Sequence, residues 1–245
     1  MEIRPGTVYL TGAGPGDPEL LTRRALRLLQ AADVVLHDDL VGSAILAEAR
    51  ADAKQVNVGK RCGTKKITQR EINELMIAEA RAGRIVVRLK SGDPLIFGRA
   101  GEEIRALIQA GVRFEVIPGI TAAFAAAAAS GFSMTDRGGA SRLVLESGHH
   151  AEERTEVQGG RHASTTLVRY MPGSDYERMQ RELMADGWDG ATPVLLVSCA
   201  GQTRQQRKRG TLADLHTLAP LPAPAILLVG QAIAMTDKPG ERAKA

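Results

Sequence analysis

The sequence predicts an α/β protein of one large or two smaller domains, and three observations support this fold class. Short β-branched runs alternate with helical segments along the chain, which is the pattern of a mostly parallel sheet with helices on both faces. Two of these runs are followed by glycine-rich loops, at Gly12–Gly16 and at Ser91-Gly92. The 245 residues are long for one core, and Pro118-Gly119 is the best candidate for a boundary, which would give domains 1–118 and 119–245.

The first half begins with the strand Thr7–Leu10, a glycine-rich loop and a predicted helix over Glu19–Gln30. A G-x-G loop after a first strand is typical of dinucleotide binding, where a pyrophosphate lies at the helix N-terminus. Asp38 or Asp39 could supply the acidic residue that this motif has roughly twenty positions later. Asp17, however, places a negative charge where the phosphate would lie, and this weakens the dinucleotide interpretation.

The first half then continues the same alternation. Its predicted strands are Val34–Leu36, Gln55–Val58, Ile85–Leu89 and Arg113–Ile117, and its predicted helices are Val41–Ala49, a segment from Thr68 to Ala82, and Glu102–Ala110. Thr68 and Glu71 have the spacing of a capping box. The stretch Arg88–Arg99 has a strand, a tight loop and a helix start, and loops beyond parallel strands are where open α/β sheets bind ligands. Taken alone, this stretch is explained equally well by a plain connecting turn.

The second half is less regular. An Ala-rich helix is predicted over Ile120–Phe132, Ser174 is expected to cap a helix from Asp175 to Asp186, and strands are predicted at Arg142–Glu146, Thr165–Tyr170, Pro193–Val197 and Ala225–Gly230. The basic run Arg204–Arg209 is expected on a solvated loop. The tail from Asp237 is expected to be frayed.

Composition restricts the class of function. The net charge of +4 favours anionic partners, whereas 3% aromatic residues argue against binding single-stranded nucleic acid by base stacking. Cys62 and Cys199 have no metal-ligand spacing, so no metal site is expected. No apolar run reaches the roughly 20 residues of a membrane span, and Met1–Gly6 is short and polar. We therefore expect a cytoplasmic protein without nucleic-acid or membrane partners.

Several motifs carry a resemblance that covers nearly the whole chain. They are GAGPGDPELLT, HDDLVGSAIL, VGKRCG, QREINELM, VVRLKSGDPLIFGRAGEE and FEVIPGITAAFAAAA, with looser matches at TLVRYM and LLVSCAG. In these motifs the chain resembles the tetrapyrrole methylase family, and within it the branch that methylates uroporphyrinogen III. The chain departs from the usual pattern at Ser91, Ala100, the MTDR segment Met134–Arg137, the ESGHH segment Glu146–His150, and Arg169.

The resemblance implies two α/β domains with S-adenosylmethionine in the cleft between them, where it is converted to S-adenosylhomocysteine. It also implies a homodimer. The donor contacts that it implies are Pro15, Ser91, Gly92, Asp93, Ile96, Thr121, Ala122, Met171, Ala200 and Ala225. Asp38 would face the pyrrole nitrogens and Arg99 would act with it, while Lys60, Arg61, Phe97 and Arg137 would bind the substrate. No metal is implied.

Two other functions stay open at this point. A ribosomal-RNA ribose methyltransferase shares the first glycine-rich loop, and the run Arg204–Arg209 would serve it, although the VGKR and IFGR segments argue against this class. A non-catalytic nucleotide-binding module could use both glycine-rich loops. That module requires a phosphate, which Asp17 and Asp93 would repel.

Overall fold

The computed structural model describes residues 2–59, 67–148 and 162–234. The chain divides into two compact units, Met1–Ala122 and Ala123–Ala245. Each unit contains its own five-stranded sheet, and the two sheets differ in strand direction.

The sheet of the first unit is entirely parallel. Its strands are β1 (Thr7–Gly12), β2 (Val34–His37), β3 (Lys54–Asn57), β4 (Ile85–Lys90) and β5 (Arg113–Ile117), and its helices are α1 (Arg23–Ala31), α2 (Ser43–Leu46), α3 (Gln69–Arg81) and α4 (Ala100–Gln109). The strand order is β3-β2-β4-β1-β5. Because all neighbours are parallel, the carboxyl ends of all five strands lie at one edge, which we call the carboxyl edge.

Both faces of this sheet are covered, as the buried runs in its strands require. Val8 and Leu10 pack on one face with Met76 of α3. Tyr9 points to the opposite face, where it packs with Leu28 of α1. The alternation along β1 therefore fixes which helix covers which face, and the loops beyond the strands remain available for a site.

The first helix is shorter than expected. The chain forms a short 3₁₀ turn at Pro18–Leu20, and α1 begins only at Arg23. The Thr22 hydroxyl accepts a hydrogen bond from the amide of Ala25 at 3.1 Å, so the N-cap replaces the expected continuation of the helix through the leucine pair. The expected helix Val41–Ala49 likewise shortens to α2. The capping box at Thr68 and Glu71 is confirmed, with both reciprocal hydrogen bonds present.

The sheet of the second unit is mixed. Its strands are β6 (Arg142–Ser147), β7 (Thr165–Tyr170), β8 (Pro193–Ser198), β9 (Gln206–Thr211) and β10 (Ala225–Val229), in the order β6-β7-β10-β8-β9. Its helix α6 spans Tyr176–Ala185, and α5 spans Ala122–Ser130 and so begins at the last residue of the first unit. Strands β6 and β7 are parallel, whereas β10 runs antiparallel to both β7 and β8.

Helix α6 packs on this sheet and has a different cap from the expected one. Asp175, not Ser174, is the N-cap, and its carboxylate accepts a hydrogen bond from the amide of Arg178 at 2.9 Å. Met179 and Leu183 then pack in the same core as Leu227 of β10. An aspartate at the N-cap also carries a charge that favours the positive end of the helix dipole.

The basic run is part of an edge strand, so its expected placement on a loop was wrong. Among the described strands β9 pairs with β8 alone, and it contains Arg207, Lys208 and Arg209. The guanidinium groups of Arg207 and Arg209 donate to the carbonyl oxygens of Ala129 and Ser130, at 3.2 and 3.4 Å. These are carbonyls at the C-terminal end of α5, where cations are favoured. Charged side chains on an edge strand also discourage pairing with other chains.

The departures from the family pattern at Glu146 and Arg169 have one structural explanation. Arg169 is buried, and its guanidinium donates to the carboxylate of Glu146, its partner in the parallel register of β6 and β7. Arg169 also lies 3.5 Å from the carboxylate of Glu182 on α6. A buried arginine needs a carboxylate, so the two unusual residues form one ion pair.

We expect Arg169→Leu to lower the free energy of unfolding by about 1–2 kcal/mol, because the partner carboxylates are partly exposed and can be hydrated. The double variant Glu146→Val with Arg169→Leu should recover most of this loss, since the pair is then replaced by apolar side chains. Urea unfolding followed by the fluorescence of Trp188, the single tryptophan, measures both variants. Equal or additive losses in the double variant would contradict the pairing.

Candidate functional site

The two glycine-rich loops are hydrogen-bonded to each other at the carboxyl edge. The amide of Gly92 donates to the carbonyl oxygen of Gly14 at 2.8 Å, and the amide of Gly14 donates to Gly92 at 3.2 Å. Both residues have φ near +67°, a conformation that favours glycine. The loops after β1 and β4 therefore form one rigid backbone platform.

Two further glycines, Gly12 and Gly119, complete this platform. Gly12, Gly92 and Gly119 end or follow β1, β4 and β5, which are neighbours in the sheet. A Cβ atom added to Gly119 would lie 2.3 Å from the carbonyl oxygen of Gly92, and one added to Gly12 would lie 2.6 Å from the Cα of Gly119. At Gly12 and Gly119 an added Cβ would overlap backbone atoms, whereas at Gly92 it is the positive φ angle that favours glycine.

The carboxylate of Asp93 holds these loops together through hydrogen bonds. It accepts hydrogen bonds from the amide of Leu95 at 2.8 Å and from the amide of Gly119 at 3.0 Å. The first bond closes the turn after Gly92, and the second ties that turn to the segment after β5. Asp93 thus has a structural role in addition to the donor contact that the family resemblance implies.

Several of the expected donor residues of the first unit lie at this platform. A Cβ atom on Gly92 would approach the Cα of Thr121 at 3.8 Å and the amide nitrogen of Ala122 at 3.9 Å. Pro15 is buried directly after Gly14. Ser91 precedes Gly92, and the amide of Ile96 donates to the carbonyl oxygen of Asp93 at 3.2 Å. The carboxyl edge brings these residues together from three separate strand ends.

Asp38 lies at the same edge, one residue beyond β2. Its carboxylate accepts a hydrogen bond from the buried guanidinium of Arg88 on β4, at 2.5 Å. The side chain of Asp38 is 29% exposed, so one part of the carboxylate can meet a ligand. The carboxylate of Asp39 has a different partner and accepts a hydrogen bond from the side-chain amide of Asn57 at 2.7 Å. The two adjacent aspartates therefore contact different neighbours.

Arg99 and Phe97 lie on the loop between β4 and α4, and both have positive φ angles, of 57° and 52°. The guanidinium of Arg99 binds both carboxylate oxygens of Glu102, at 2.7 and 2.8 Å, and this pairing raises the pKa of Arg99. Phe97 is 42% exposed. Non-glycine residues held in this conformation cost energy and are concentrated at functional sites.

The expected donor residues of the second unit share one edge of its sheet. Met171 follows β7, Ala200 follows Cys199 at the end of β8, and Ala225 begins β10. Because β10 is antiparallel to both neighbours, its first residue lies beside their last residues. Met171 and Cys199 both have φ of 50°, which again places strained backbone at strand ends.

The structure describes only some of the expected substrate residues. Arg137 is exposed in the turn bounded by the bridge between Asp136 and Ala140. Lys60 and Arg61 lie outside the described residues, as do His149-His150 and Cys62.

The region after Gly16 does not have the geometry of a dinucleotide site. Asp17 accepts a hydrogen bond from the amide of Glu19 at 3.0 Å, and Thr22 caps α1. The amides that a pyrophosphate would use are therefore hydrogen-bonded to side chains, one of them negatively charged.

Residues of the site that sequence reasoning missed include Arg88, Lys90 and Glu103. Glu103 of α4 is fully buried and lies 2.9 Å from Arg88 and 3.0 Å from Lys90. The sequence did contain an indication of this group. Arg88 and Lys90 lie two residues apart in a strand that is covered on both faces, and buried charges require partners of opposite charge.

Two kinds of feature are absent from the part of the chain that the structure describes. Within residues 2–59, 67–148 and 162–234, no group of three or more histidine, cysteine, aspartate or glutamate side chains could hold a metal ion. In those same ranges, no helix is long and apolar enough to cross a membrane.

Comparisons with known proteins agree with this geometry. Residues 7–216 match the family model of Tetrapyrrole (Corrin/Porphyrin) Methylases. The chain is 42% identical to an S-adenosyl-L-methionine-dependent uroporphyrinogen III methyltransferase of Methanosarcina barkeri, over 97% of this chain and 96% of the relative. It is 44% identical to a siroheme synthase of Psychrobacter sp., over 95% of this chain and 49% of that protein.

A solved structure shows the same fold. The uroporphyrin-III C-methyltransferase of Thermus thermophilus, complexed with S-adenyl homocysteine, superposes with a TM-score of 0.81 at 36% identity, over 95% of this chain and 96% of that chain. The chain spans about half the length of the siroheme synthases that it matches. The α/β fold is thereby confirmed, and the chain belongs to the tetrapyrrole methylase family.

Proposed function

We propose that the chain is an S-adenosylmethionine-dependent C-methyltransferase that methylates uroporphyrinogen III twice to give precorrin-2. The observation that carries this proposal is the arrangement of the carboxyl edge, where the glycine platform and the anchored carboxylate of Asp38 occur together. A relative named as an S-adenosyl-L-methionine-dependent uroporphyrinogen III methyltransferase matches 97% of the chain at 42% identity, which supports the same conclusion.

The residues of this chain would contribute mainly by alignment. S-adenosylmethionine, when bound, supplies an electrophilic methyl group on a sulfonium centre. The platform of Gly12, Gly92 and Gly119 would place backbone groups against the donor, with Met171, Ala200 and Ala225 as further contacts. A pyrrole carbon is electron-rich enough to attack without a strong base. Orientation of the reactants alone can lower a barrier by roughly 7–11 kcal/mol.

The substrate would be oriented by one carboxylate and several cations. Asp38 can accept hydrogen bonds from pyrrole N–H groups, because part of its side chain is exposed. Lys60, Arg61, Arg99 and Arg137 would bind the acetate and propionate groups, with Phe97 against the macrocycle. Arg99 is paired with Glu102, so a substrate carboxylate would compete for, or share, its guanidinium.

Anaerobic incubation with S-adenosylmethionine and uroporphyrinogen III tests this function. The product should gain two methyl groups by mass and show the absorption change of the modified macrocycle. Incubation with ribosomal RNA in place of the tetrapyrrole tests the ribose methyltransferase alternative. The structure offers a different role for its basic run, since Arg207 and Arg209 bind carbonyl oxygens of α5.

We predict that the protein binds S-adenosylhomocysteine and binds neither ATP nor NAD. Asp17 and Asp93 place carboxylates at the two loops where a phosphate-binding site would have amides or cations. Isothermal titration calorimetry with all three ligands measures this directly. Heat of binding for ATP, with none for S-adenosylhomocysteine, would favour the nucleotide-binding module instead.

A homodimer and a cytoplasmic location are further parts of this proposal. The homodimer rests on the resemblance to the tetrapyrrole methylase family, and the cytoplasmic location rests on the expectation drawn from the sequence. Sedimentation of the purified chain distinguishes a monomer from a dimer, and fractionation of cells that express it determines the location.

A further inference from the structure

Beneath Asp38, four charged side chains form one buried group, which we call the charge network: Asp38, Arg88, Lys90 and Glu103. Arg88 and Lys90 lie two residues apart on β4 and therefore point to the same face of the sheet. Glu103 reaches them from α4, and Asp38 reaches Arg88 from the end of β2. Two cations and two carboxylates balance in charge.

The guanidinium of Arg88 is held on every side. Its Nε donates to Glu103 at 2.9 Å and one terminal nitrogen donates to Asp38 at 2.5 Å. The other terminal nitrogen donates to the carbonyl oxygens of Leu36 and Leu89, at 3.3 and 3.2 Å. Burial opposes its ionisation, but Asp38 and Glu103 together raise the pKa of Arg88 above the ordinary arginine value. The group has one orientation, and its charge is permanent.

Glu103 is the centre of the charge network. Glu103 is fully buried. One of its carboxylate oxygens accepts hydrogen bonds from Arg88 and from the side-chain amide of Gln69 on α3, the latter at 3.3 Å. The other oxygen lies 3.0 Å from the ammonium of Lys90. Burial and the nearby charge of Arg88 lower the pKa of Lys90, whereas Glu103 opposes that shift. Without Glu103, two buried cations would share the single carboxylate of Asp38.

Of the four side chains, only that of Asp38 is substantially exposed to solvent. The side chains of Arg88 and Lys90 are 3% exposed and that of Glu103 is not exposed, whereas that of Asp38 is 29% exposed. A buried charge group is weak support for stability, because apolar side chains of similar volume often serve as well. Its one accessible end is the carboxylate proposed to face the substrate.

We propose that Glu103 is a positioning residue that acts through Arg88 to hold the carboxylate of Asp38 at the carboxyl edge. This inference rests on the proposed function, since it gives Asp38 its importance. It adds residues and a physical cause to that role: Glu103 aligns Arg88, and Arg88 fixes the oxygen of Asp38 that does not face the ligand.

A second buried carboxylate provides a matched control. Glu79 of α3 is also buried and also pairs with two cations, Lys54 and Arg84. Those partners begin β3 and precede β4, so this group lies at the amino ends of the strands, opposite the carboxyl edge. Glu79→Gln and Glu103→Gln therefore make the same chemical change at opposite ends of one sheet.

The test measures single-turnover methyl transfer for the wild type, Glu103→Gln, Asp38→Asn and the double variant. We expect Glu103→Gln to slow methyl transfer about tenfold while the affinity for S-adenosylhomocysteine stays unchanged. The double variant should be no slower than Asp38→Asn alone, because Glu103 acts only through Asp38. Glu79→Gln should lower the melting temperature but transfer methyl groups at the wild-type rate per folded molecule.

Circular dichroism gives the folded fraction of each variant. If Glu103→Gln does not fold, Arg88→Lys replaces it in the same cycle, because lysine keeps the charge but loses the fork that joins both carboxylates. Losses that multiply in the double variant, or a wild-type rate in the single variant, would overturn the positioning role while the proposed function stands. A wild type that transfers no methyl group would overturn the proposed function and this inference with it.

Discussion

Gly119→Ala is expected to weaken binding of S-adenosylhomocysteine by about 10- to 100-fold, equivalent to about 1.4–2.8 kcal/mol. The added methyl group would lie 2.3 Å from the carbonyl oxygen of Gly92 and 2.9 Å from the Cα of Gly12. Both obstacles are backbone atoms, so neither can rotate away as a side chain would. The loops after β1, β4 and β5 must separate, and the hydrogen bond from Gly119 to Asp93 is strained or lost.

Overpacking of this kind also costs roughly 1–3 kcal/mol of stability, so the melting temperature should fall together with the affinity. Gly12→Ala makes the same clash from the opposite side, 2.6 Å from the amide nitrogen of Gly119, and should behave alike. Gly42→Ala is the matched control, since nothing lies within 4 Å of its added Cβ. Its stability should change by about 0.5 kcal/mol or less. Calorimetry that shows wild-type affinity in Gly119→Ala would mean that the platform does not contact the donor.

Periodicity predicted those elements whose limits are determined locally. The strands Arg113–Ile117 and Thr165–Tyr170 have the same limits in the structure as in the sequence prediction. The start of α1 was predicted too early because Leu20 and Leu21 continue the apolar pattern of the helix. The hydroxyl of Thr22 caps the helix after these two leucines, so α1 begins beyond them. The run around Arg207 was misplaced for a different reason. An edge strand is stabilised by pairing with a neighbour, and no local pattern encodes that neighbour.

The candidate site divides in the same way. Motifs placed Ser91, Gly92 and Asp93 at a strand end, and the parallel topology brings them to the same edge as Asp38. The contact between Gly12 and Gly119 could not be predicted, because it joins residues more than a hundred positions apart through backbone atoms alone. The pairing of Arg88 with Glu103 depends on which helix covers which face. Alternating charges in a buried strand indicate that partners exist without identifying them.

Asp38→Asn is expected to slow methyl transfer by about one to two orders of magnitude, as a loss of roughly 1.4–2.8 kcal/mol implies, and to leave donor binding intact. The substitution keeps the size of the side chain and one acceptor oxygen. It removes the charge that pairs with Arg88 at 2.5 Å and adds an NH₂ group that faces other donors. Pyrrole N–H groups would lose a charge-assisted acceptor, and such hydrogen bonds contribute roughly 1.5–3 kcal/mol each.

Asp39→Asn is the matched control for this prediction. The carboxylate of Asp39 accepts a hydrogen bond from the side-chain amide of Asn57 at 2.7 Å, on the side of β3. Loss of the Asp39 charge should therefore affect methyl transfer much less. Single-turnover rates at saturating donor, with calorimetry for S-adenosylhomocysteine, separate the two substitutions. A slow Asp39→Asn beside a normal Asp38→Asn would assign the role to the other aspartate. Normal rates in both would mean that the macrocycle does not lie over the end of β2, because a substrate held there must lose its acceptor when Asp38 is neutralised.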